Sequence, residues 1–460
     1  MPDDFIEQLQ PGIETRIAIE MAKGKIPSLA VGVVRDQELV WFKGFGTANF
    51  LTGAGADVDT LHRVASVTKT FTTTAILQLR DEGKLQLDDP LTNFIPEFER
   101  VAVKAGTLAG VTLRKLLCHH SGLMSETPLP TWEALDFPPI DEIIAALPQT
   151  EVVIPQDSAF KYSNLAFGLL GEVIARVSGM SYFEYIHKNL LEPLGMTHSV
   201  FTLDDDSRKN FAVGYMADLY SDRYIAAPYS QLNGVAACGQ LHSSVGDLAK
   251  WIAAQFRTDA PKREGQYILK GTTLNEIHRP QFLEPDWSIA YCLGWRANRY
   301  GNEVFHGHGG GIHGFASQVS FSKKHRLGVV TLANIWPHPG VLPLASDLLL
   351  HAVEVQKQIS QQETTKPRSE KPVPMEYHPL LGLYIAFPQI TLHVAWRNSQ
   401  LRIEPSGLSE YPLHTPATLE PVGERVFIVR GGRGSGETIC FEQDGERLQF
   451  SLGGFVYRRR

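Results

Sequence analysis

Arg63-Val64-Ala65-Ser66-Val67-Thr68-Lys69-Thr70-Phe71 opens a stretch in which Phe71, Ala75, Ile76 and Leu79 recur at helical spacing. The spacing predicts a helix over 68–80, stopped near Gly83. Residues three apart at a helix start share a face, so the Lys69 amine reaches the Ser66 hydroxyl. Serine is a weak nucleophile until a neighbouring base takes its proton, and a lysine amine within reach supplies that base. The helix start also turns backbone N–H groups outward, which suits a developing oxyanion. The pattern is weak alone. Ser320-Phe321-Ser322-Lys323 matches it too, in a strand-like stretch where positions i and i+3 face opposite ways.

A second candidate is Tyr162-Ser163-Asn164, placed just before a helical pattern over 165–177 that closes at Gly179. A tyrosine hydroxyl in such a site passes protons. An asparagine amide offers both a donor and an acceptor to a substrate carbonyl or amide. Taken alone, the triplet is better explained by a core tyrosine beside a helix-capping asparagine, and Tyr300-Gly301-Asn302 has the same spacing.

The third is the run from His306 to Phe315, His-Gly-His-Gly-Gly-Gly-Ile-His-Gly-Phe. A strand edge of glycines lets a substrate backbone approach closely, and a backbone N–H there can complete an oxyanion hole. His308 is placed to hold a carboxylate or position a proton, with Gly310 and Gly311 lining the substrate. Two other readings compete. His306 and His308 have a zinc-like spacing, but the following Asp-His of metallo-hydrolases is missing. The His-Gly-Gly-Gly string also matches the oxyanion loop of α/β-hydrolases, whose Gly-x-Ser-x-Gly elbow is absent.

The chain has 460 residues, 43% hydrophobic and 20% charged, which permits a large core and more than one domain. A net charge of −7 and the lack of a basic stripe argue against nucleic acid as a partner. No apolar run approaches the roughly 20 residues of a membrane helix. The N-terminus shows no basic segment leading into an apolar one, so a cytoplasmic protein is expected, the other reading being an exported form trimmed of its leader. Cys118, Cys238, Cys292 and Cys440 are widely spaced and are expected as buried thiols.

Residues 1–356 mix helical and strand periodicity. Strands are expected over 29–34 and 39–42 and over 315–321 and 327–332, with a further helix over 247–256. Strand at both ends and helix between suggest one sheet built from distant segments. Residues 357–375 are polar, charged and proline-punctuated, the chemistry of a linker. From 376 to 460 short strands dominate. Expected strands over 392–396 and 401–403 flank Asn398-Ser399, and strands over 439–441 and 448–450 flank the hairpin signal Asp444-Gly445.

Together, Arg63 to Phe71, Tyr162-Ser163-Asn164 and His308-Gly309-Gly310 resemble the three active-site motifs of the class C β-lactamase family, in the same order. That family includes D-Ala-D-Ala carboxypeptidases, D-aminopeptidases and β-lactamase-fold esterases. The segments 116–123, 191–196 and 236–249 share the likeness, which covers roughly residues 10–350. The resemblance implies an α+β fold of the β-lactamase/transpeptidase type, an antiparallel sheet flanked by helices with a helical subdomain. The C-terminal module resembles the lipocalin-like barrel appended to some members.

The resemblance also implies roles. Ser66 is acylated. Lys69 and Tyr162 manage its proton and later activate water. Asn164 orients the substrate amide, and the N–H groups of Ser66 and Gly311 form the oxyanion hole. No cofactor and no metal are implied. Lactamases of this class carry lysine where this chain has His308, and a neutral histidine holds a carboxylate less well than a permanent cation. Ester or amide hydrolysis on small or peptide-like substrates, D-amino-acid ones among them, is therefore expected, with weak β-lactam turnover at most. A non-catalytic penicillin-binding or sensor-type paralogue is the other reading. Homo-oligomerisation is left open.

Overall fold

The computed structural model describes residues 4–218, 221, 223–257, 268–336, 340–365, 371–386, 390–405, 416–432 and 434–460. The chain forms two compact units, residues 1–359 and 360–460.

The first unit begins with helix α1 (Asp4–Gly24) and the antiparallel strands β1 (Ser28–Arg35) and β2 (Glu38–Gly46). Helices α2 (Thr68–Asp81), α3 (Asn164–Ser178) and α4 (Val245–Ala254) follow. The chain then returns to the sheet as β3 (Phe282–Leu283), β4 (Ile289–Tyr291), β5 (Arg296–Tyr300), β6 (Glu303–Ile312), β7 (Phe315–Ser322) and β8 (Leu327–Ala333), and helix α5 (Val341–Thr365) follows. The sheet order is β2-β1-β8-β7-β6-β5-β4-β3, so the N-terminal hairpin completes a sheet otherwise built 250 residues later, as the distant strand patterns suggested.

Strand alternation divides the core. Ala30 and Val34 of β1 face the helical layer with Val245, Leu248 and Ile252 of α4. Leu29, Val31 and Val33 face Leu9, Ile13 and Ile17 of α1 and Leu344 and Leu348 of α5. Helix α4 lies close on the sheet: a Cβ on Gly32 would stand 2.4 Å from Val245 Cγ1. Helix α2 is buried nearly all round despite its threonines. Their hydroxyls donate to carbonyls, Thr68 to Ala65 (2.6 Å), Thr70 to Val67 (2.8 Å) and Thr73 to Lys69 (2.8 Å), so burial leaves them satisfied.

Residues 357–365, expected at the start of a linker, instead continue α5. Residues 357, 358 and 360–362 are exposed, and the mostly polar composition of the stretch suits a linker and a solvated helix end equally.

The second unit is a nearly closed, nine-stranded, barrel-like sheet. Its strands are β9 (Gly382–Ala386), β10 (Ile390–Arg397), β11 (Gln400–Pro405), β12 (Ala417–Gly423), β13 (Val426–Arg430), β14 (Thr438–Cys440), β15 (Glu442–Asp444), β16 (Arg447–Leu452) and β17 (Phe455–Arg459). Tyr384, Leu392, Val394, Phe427, Phe441, Phe450 and Tyr457 fill it. The Asp444-Gly445 turn is present, but its partner strand differs from expectation. β15 pairs with β16, while β14 pairs with β13 through Phe427↔Ile439. The expected burial of all four cysteines also fails. Ile439 takes the inward position on β14, which turns its neighbour Cys440 out to solvent; Cys118, Cys238 and Cys292 are buried. No helix among the described residues is long and apolar enough to cross a membrane.

Candidate active site

Ser66 occupies a single turn of 3-10 helix (Ala65–Val67) that leads into α2. Ala65, just before it, has a left-handed backbone (φ 46°), a conformation costly for a non-glycine residue and held by its surroundings. Val64 donates its N–H to the Leu241 carbonyl (3.0 Å) and accepts from Ser317 Oγ (2.7 Å), which ties the turn to the sheet. On the next turn, Lys69 is wholly buried. Its Nζ donates to Ser66 Oγ (3.2 Å), Asn164 Oδ1 (2.8 Å) and the Cys238 carbonyl (2.7 Å).

Tyr162 and Asn164 reach the same point from the start of α3. The cap of that helix is Ser163, not the asparagine: Ser163 Oγ accepts from Ala166 N–H (3.0 Å) and donates to the Met124 carbonyl (2.7 Å). Capping by Ser163 frees its neighbours for the site. Tyr162 OH donates to Ser66 Oγ (3.0 Å). Two donors, one an amine and one a phenol, therefore converge on the serine oxygen, an arrangement that favours negative charge on it. The Tyr162 ring lies against His119 (centroids 4.3 Å apart). His119 is buried and held neutral, its pKa driven well down by burial first and by Lys69 second. Its Nδ1 accepts the Ser163 N–H (3.1 Å), which fixes the tautomer with the proton on Nε2.

The glycine run forms the C-terminal half of β6. β5 pairs with β6 from Arg296↔Gly307 to Tyr300↔Glu303, so beyond Gly307 that edge has no strand partner in the sheet, while β7 stays paired to Ile312. Backbone groups of His308 to Gly311 are thus available on the side of Ser66. The edge comes very close to the serine turn, with Gly310 beside Val64 and Ala65. A cleft of about 480 Å³ runs along this edge, lined by Tyr162, His308, Gly309, Gly311, Arg296 and Gln318 among others.

His308 joins the cleft without touching Ser66. Its Nδ1 donates to the Gly309 carbonyl (2.7 Å) when the ring is neutral, which leaves Nε2 as an acceptor. Burial first and Lys69 second push its pKa down to about 3. Arg296, which also lines the cleft, carries a positive charge, and its guanidinium lies over the rings of Phe160 (5.1 Å) and Tyr291 (5.6 Å). The zinc reading of His306 and His308 gains nothing, since among the described residues no group of three or more metal-ligating side chains comes together. Ser320 and Lys323 lie on and beside β7, away from this cluster, as the strand pattern indicated.

Sequence reasoning missed Glu126 and Arg296. Glu126 Oε1 accepts from Asn164 Nδ2 (2.6 Å), and burial raises its pKa against the hydrogen bonds from Asn164 and Trp132. It lies in a loop, and no periodicity or motif marks it. No motif or periodicity in the sequence marks Arg296, which lies on β5.

The Beta-lactamase family matches residues 13–354, and the chain belongs to that family. The protein flp of Staphylococcus aureus is 28% identical over 326 residues, 71% of this chain and 63% of that protein, so the chain spans less than two thirds of that relative's length. Beta-lactamase-like protein 2 of Dictyostelium discoideum is 27% identical over 375 residues, 80% of this chain and 66% of that one. Among solved structures, the octameric penicillin-binding protein homologue from Pyrococcus abyssi superposes with a TM-score of 0.63 at 25% identity, covering 98% of this chain and 99% of that one. A class C beta-lactamase from Rhodobacter sphaeroides gives 0.61 at 20% identity over 76% of this chain and 99% of its own, a likeness of fold.

Proposed function

We propose that the protein is a serine hydrolase that works through an acyl-enzyme on Ser66 and cleaves esters or amides, peptide-like substrates included. The observation that carries this is the position of Ser66 Oγ between Lys69 Nζ (3.2 Å) and Tyr162 OH (3.0 Å). Oγ attacks the acyl carbon, and its proton passes to the Lys69–Tyr162 pair. The oxyanion is held by the N–H groups of Ser66 and Gly311. The proton then goes to the departing alcohol or amine, and water repeats the sequence in reverse to release the acid. Asn164 holds Lys69 in place. Arg296 takes a carboxylate on the leaving side, with Nε2 of neutral His308 accepting a hydrogen bond nearby. Without a cation at position 308, β-lactam turnover is slow. The octameric state of the Pyrococcus homologue supports homo-oligomerisation, which light scattering on the purified chain would read.

The test is turnover of p-nitrophenyl acetate, p-nitrophenyl butyrate, D-alanine p-nitroanilide and nitrocefin by the wild type and by Ser66→Ala. Loss of turnover in the variant supports the reading, and the preferred substrate separates esterase, peptidase and lactamase. Activity surviving in Ser66→Ala overturns it. Labelling by a fluorophosphonate or a penicillin without turnover favours a penicillin-binding or sensor-type protein.

A further inference from the structure

The glycine strand β6 has two faces with different neighbours. A Cβ on Gly310 would meet the Val64 carbonyl oxygen and Ala65, on the serine side. A Cβ on Gly309 would meet Gln318 Oε1 (2.5 Å) and Leu342 Cδ2 (3.2 Å), so this residue faces helix α5. Alternation puts Gly307 and Gly311 on the α5 face with Gly309. Directly paired residues share a face, so Arg296 beside Gly307 and Gln318 beside Gly309 point the same way, and Asn298 and Tyr300 follow Arg296 along β5. With glycine at all three positions, β6 puts no side chain into the space between this part of the sheet and the start of α5. The cleft of about 480 Å³ is that space. Tyr162 and His308, from the serine side, line its other end, so it passes round the edge of β6 that β5 leaves unpaired.

The polar side chains that line the cleft are largely unengaged. The Asn298 amide, the Tyr300 hydroxyl and the Arg296 guanidinium have no hydrogen-bond or ion-pair partner among the described residues. Gln318 Nε2 donates to the Val319 carbonyl (3.2 Å), which leaves Oε1 as a free acceptor. Arg296 only donates, Gln318 Oε1 only accepts, and Asn298 and Tyr300 do both. A neutral group with donors and acceptors of its own matches this set. An alkyl chain would strip water from these groups and return no hydrogen bond, and a carboxylate would leave the Gln318 oxygen facing another acceptor.

An extended substrate can add to the free edge of β6 as a further strand, and its side chains then alternate between the two faces. We propose that the cleft is the side-chain pocket for the residue on the leaving side of the scissile bond, and that it selects a residue ending in a carboxamide. The inference rests on the serine-hydrolase reading and adds the identity of the leaving residue to it. The main-chain carboxylate of that residue meets Arg296, and its side chain runs on toward Asn298, Tyr300 and Gln318.

The experiment compares kcat/KM for acetyl-alanyl-glutamine and acetyl-alanyl-methionine, in the all-L and the all-D forms, with wild type, Asn298→Leu and Tyr300→Phe. Methionine matches glutamine in length and lacks its hydrogen bonds. Leucine matches asparagine in size, and Tyr300→Phe keeps the ring against Phe305 (centroids 5.2 Å apart). The ratio of glutamine to methionine peptide is the readout, since a merely structural loss lowers both substrates alike. Wild type should favour the glutamine peptide by about tenfold in one of the two forms, and each variant should cut that ratio by about 3- to 10-fold. A wild-type ratio at or below one in both forms overturns the proposal, as does a ratio that both variants leave unchanged. If p-nitrophenyl acetate turnover disappears in Ser66→Ala while wild type shows no glutamine preference, or cleaves neither peptide, this inference fails and the hydrolase reading stands. If no ester, anilide or peptide is turned over, both fail.

Discussion

Gly310 and Val64 approach so closely that a Cβ on Gly310 would stand 2.2 Å from the Val64 carbonyl oxygen, with Ser317 Oγ at 2.6 Å and Ala65 Cβ at 3.0 Å. Backbone and a strained turn cannot give way as a side-chain tip can. The glycine is therefore required for the edge of β6 to reach the serine turn, before any role toward substrate. Gly310→Ala should push the two elements apart, lowering kcat/KM on p-nitrophenyl esters by about 100-fold and stability by about 1–3 kcal/mol. Gly309→Ala is the contrast. Its Cβ would first meet Gln318 Oε1 at 2.5 Å, the end of a flexible side chain, and should cost less on both measures. Equal losses in the two variants would refute the steric account.

Acid should unfold the first unit well before its carboxylates are protonated. His62 and His242 are both fully buried. Burial pushes the His62 pKa down to about 4; burial and the nearby Arg63 push that of His242 down to about 3. A histidine whose folded pKa lies below its unfolded value binds its proton first in the unfolded chain. Its contribution to stability is complete above pH 6.5 and falls as pH drops from there toward 4 or 3. At pH 5 each should cost on the order of 2 kcal/mol relative to pH 8. Urea midpoints measured at pH 8 and pH 5 check this, and equal midpoints would show that the rings are not held neutral.

Glu303 adds a second, lower window. Burial alone would raise its pKa, but hydrogen bonds from Lys357, His325 and Lys324 outweigh that and hold it at about 2. A carboxylate with a depressed folded pKa stabilises above its unfolded value and loses that contribution as pH falls from about 4.5 to 2. Glu303→Gln should therefore destabilise by about 2–3 kcal/mol at pH 7 and by much less at pH 2, as read by chemical denaturation.

Ser66, Lys69, Tyr162 and Asn164 are legible in the sequence because each motif is local. A helix start fixes the first pair, a capped helix start fixes the second, and glycine marks the strand edge that meets them. Glu126 and Arg296 are not legible, because their importance arises only when distant segments close. Glu126 meets Asn164 across 38 residues, and Arg296 gains its place beside His308 through the register Arg296↔Gly307. The second unit shows a related limit. Asp444-Gly445 announces its turn, but nothing local says that the chain breaks between Cys440 and Glu442 and hands Ile439 to a different partner. Similarly, the polar last turns of α5 and a linker have the same composition.

The thiols give an inexpensive check of both units. Cys440 is exposed, while burial raises the pKa of Cys118 to about 12, of Cys238 to about 11 and of Cys292 to about 12. The native protein should release one equivalent of thionitrobenzoate quickly from Ellman's reagent, and four when denatured. Cys440→Ser should abolish the fast equivalent. A fast reaction that survives this change would show that one of the three buried thiols is accessible.

Tyr162 and Lys69 both address Ser66 Oγ, but removing them should have different consequences. Tyr162→Phe deletes one donor to the nucleophile and keeps the ring against His119 and Lys69, with Lys69 Nζ 4.9 Å from the ring centre. Activity should fall by roughly 100- to 1,000-fold, while the melting temperature stays within about 3 °C of wild type. Lys69→Met preserves volume but strips Asn164 Oδ1 and the Cys238 carbonyl of their donor. It should abolish labelling of Ser66 by a fluorophosphonate and also cost about 1–3 kcal/mol of stability. The separation matters more than either value: a tyrosine that acts on the proton changes rate alone, whereas a lysine that also anchors two acceptors changes rate and stability together. Full activity in Tyr162→Phe would exclude the tyrosine from proton transfer and leave Lys69 as the base beside the serine among the described residues.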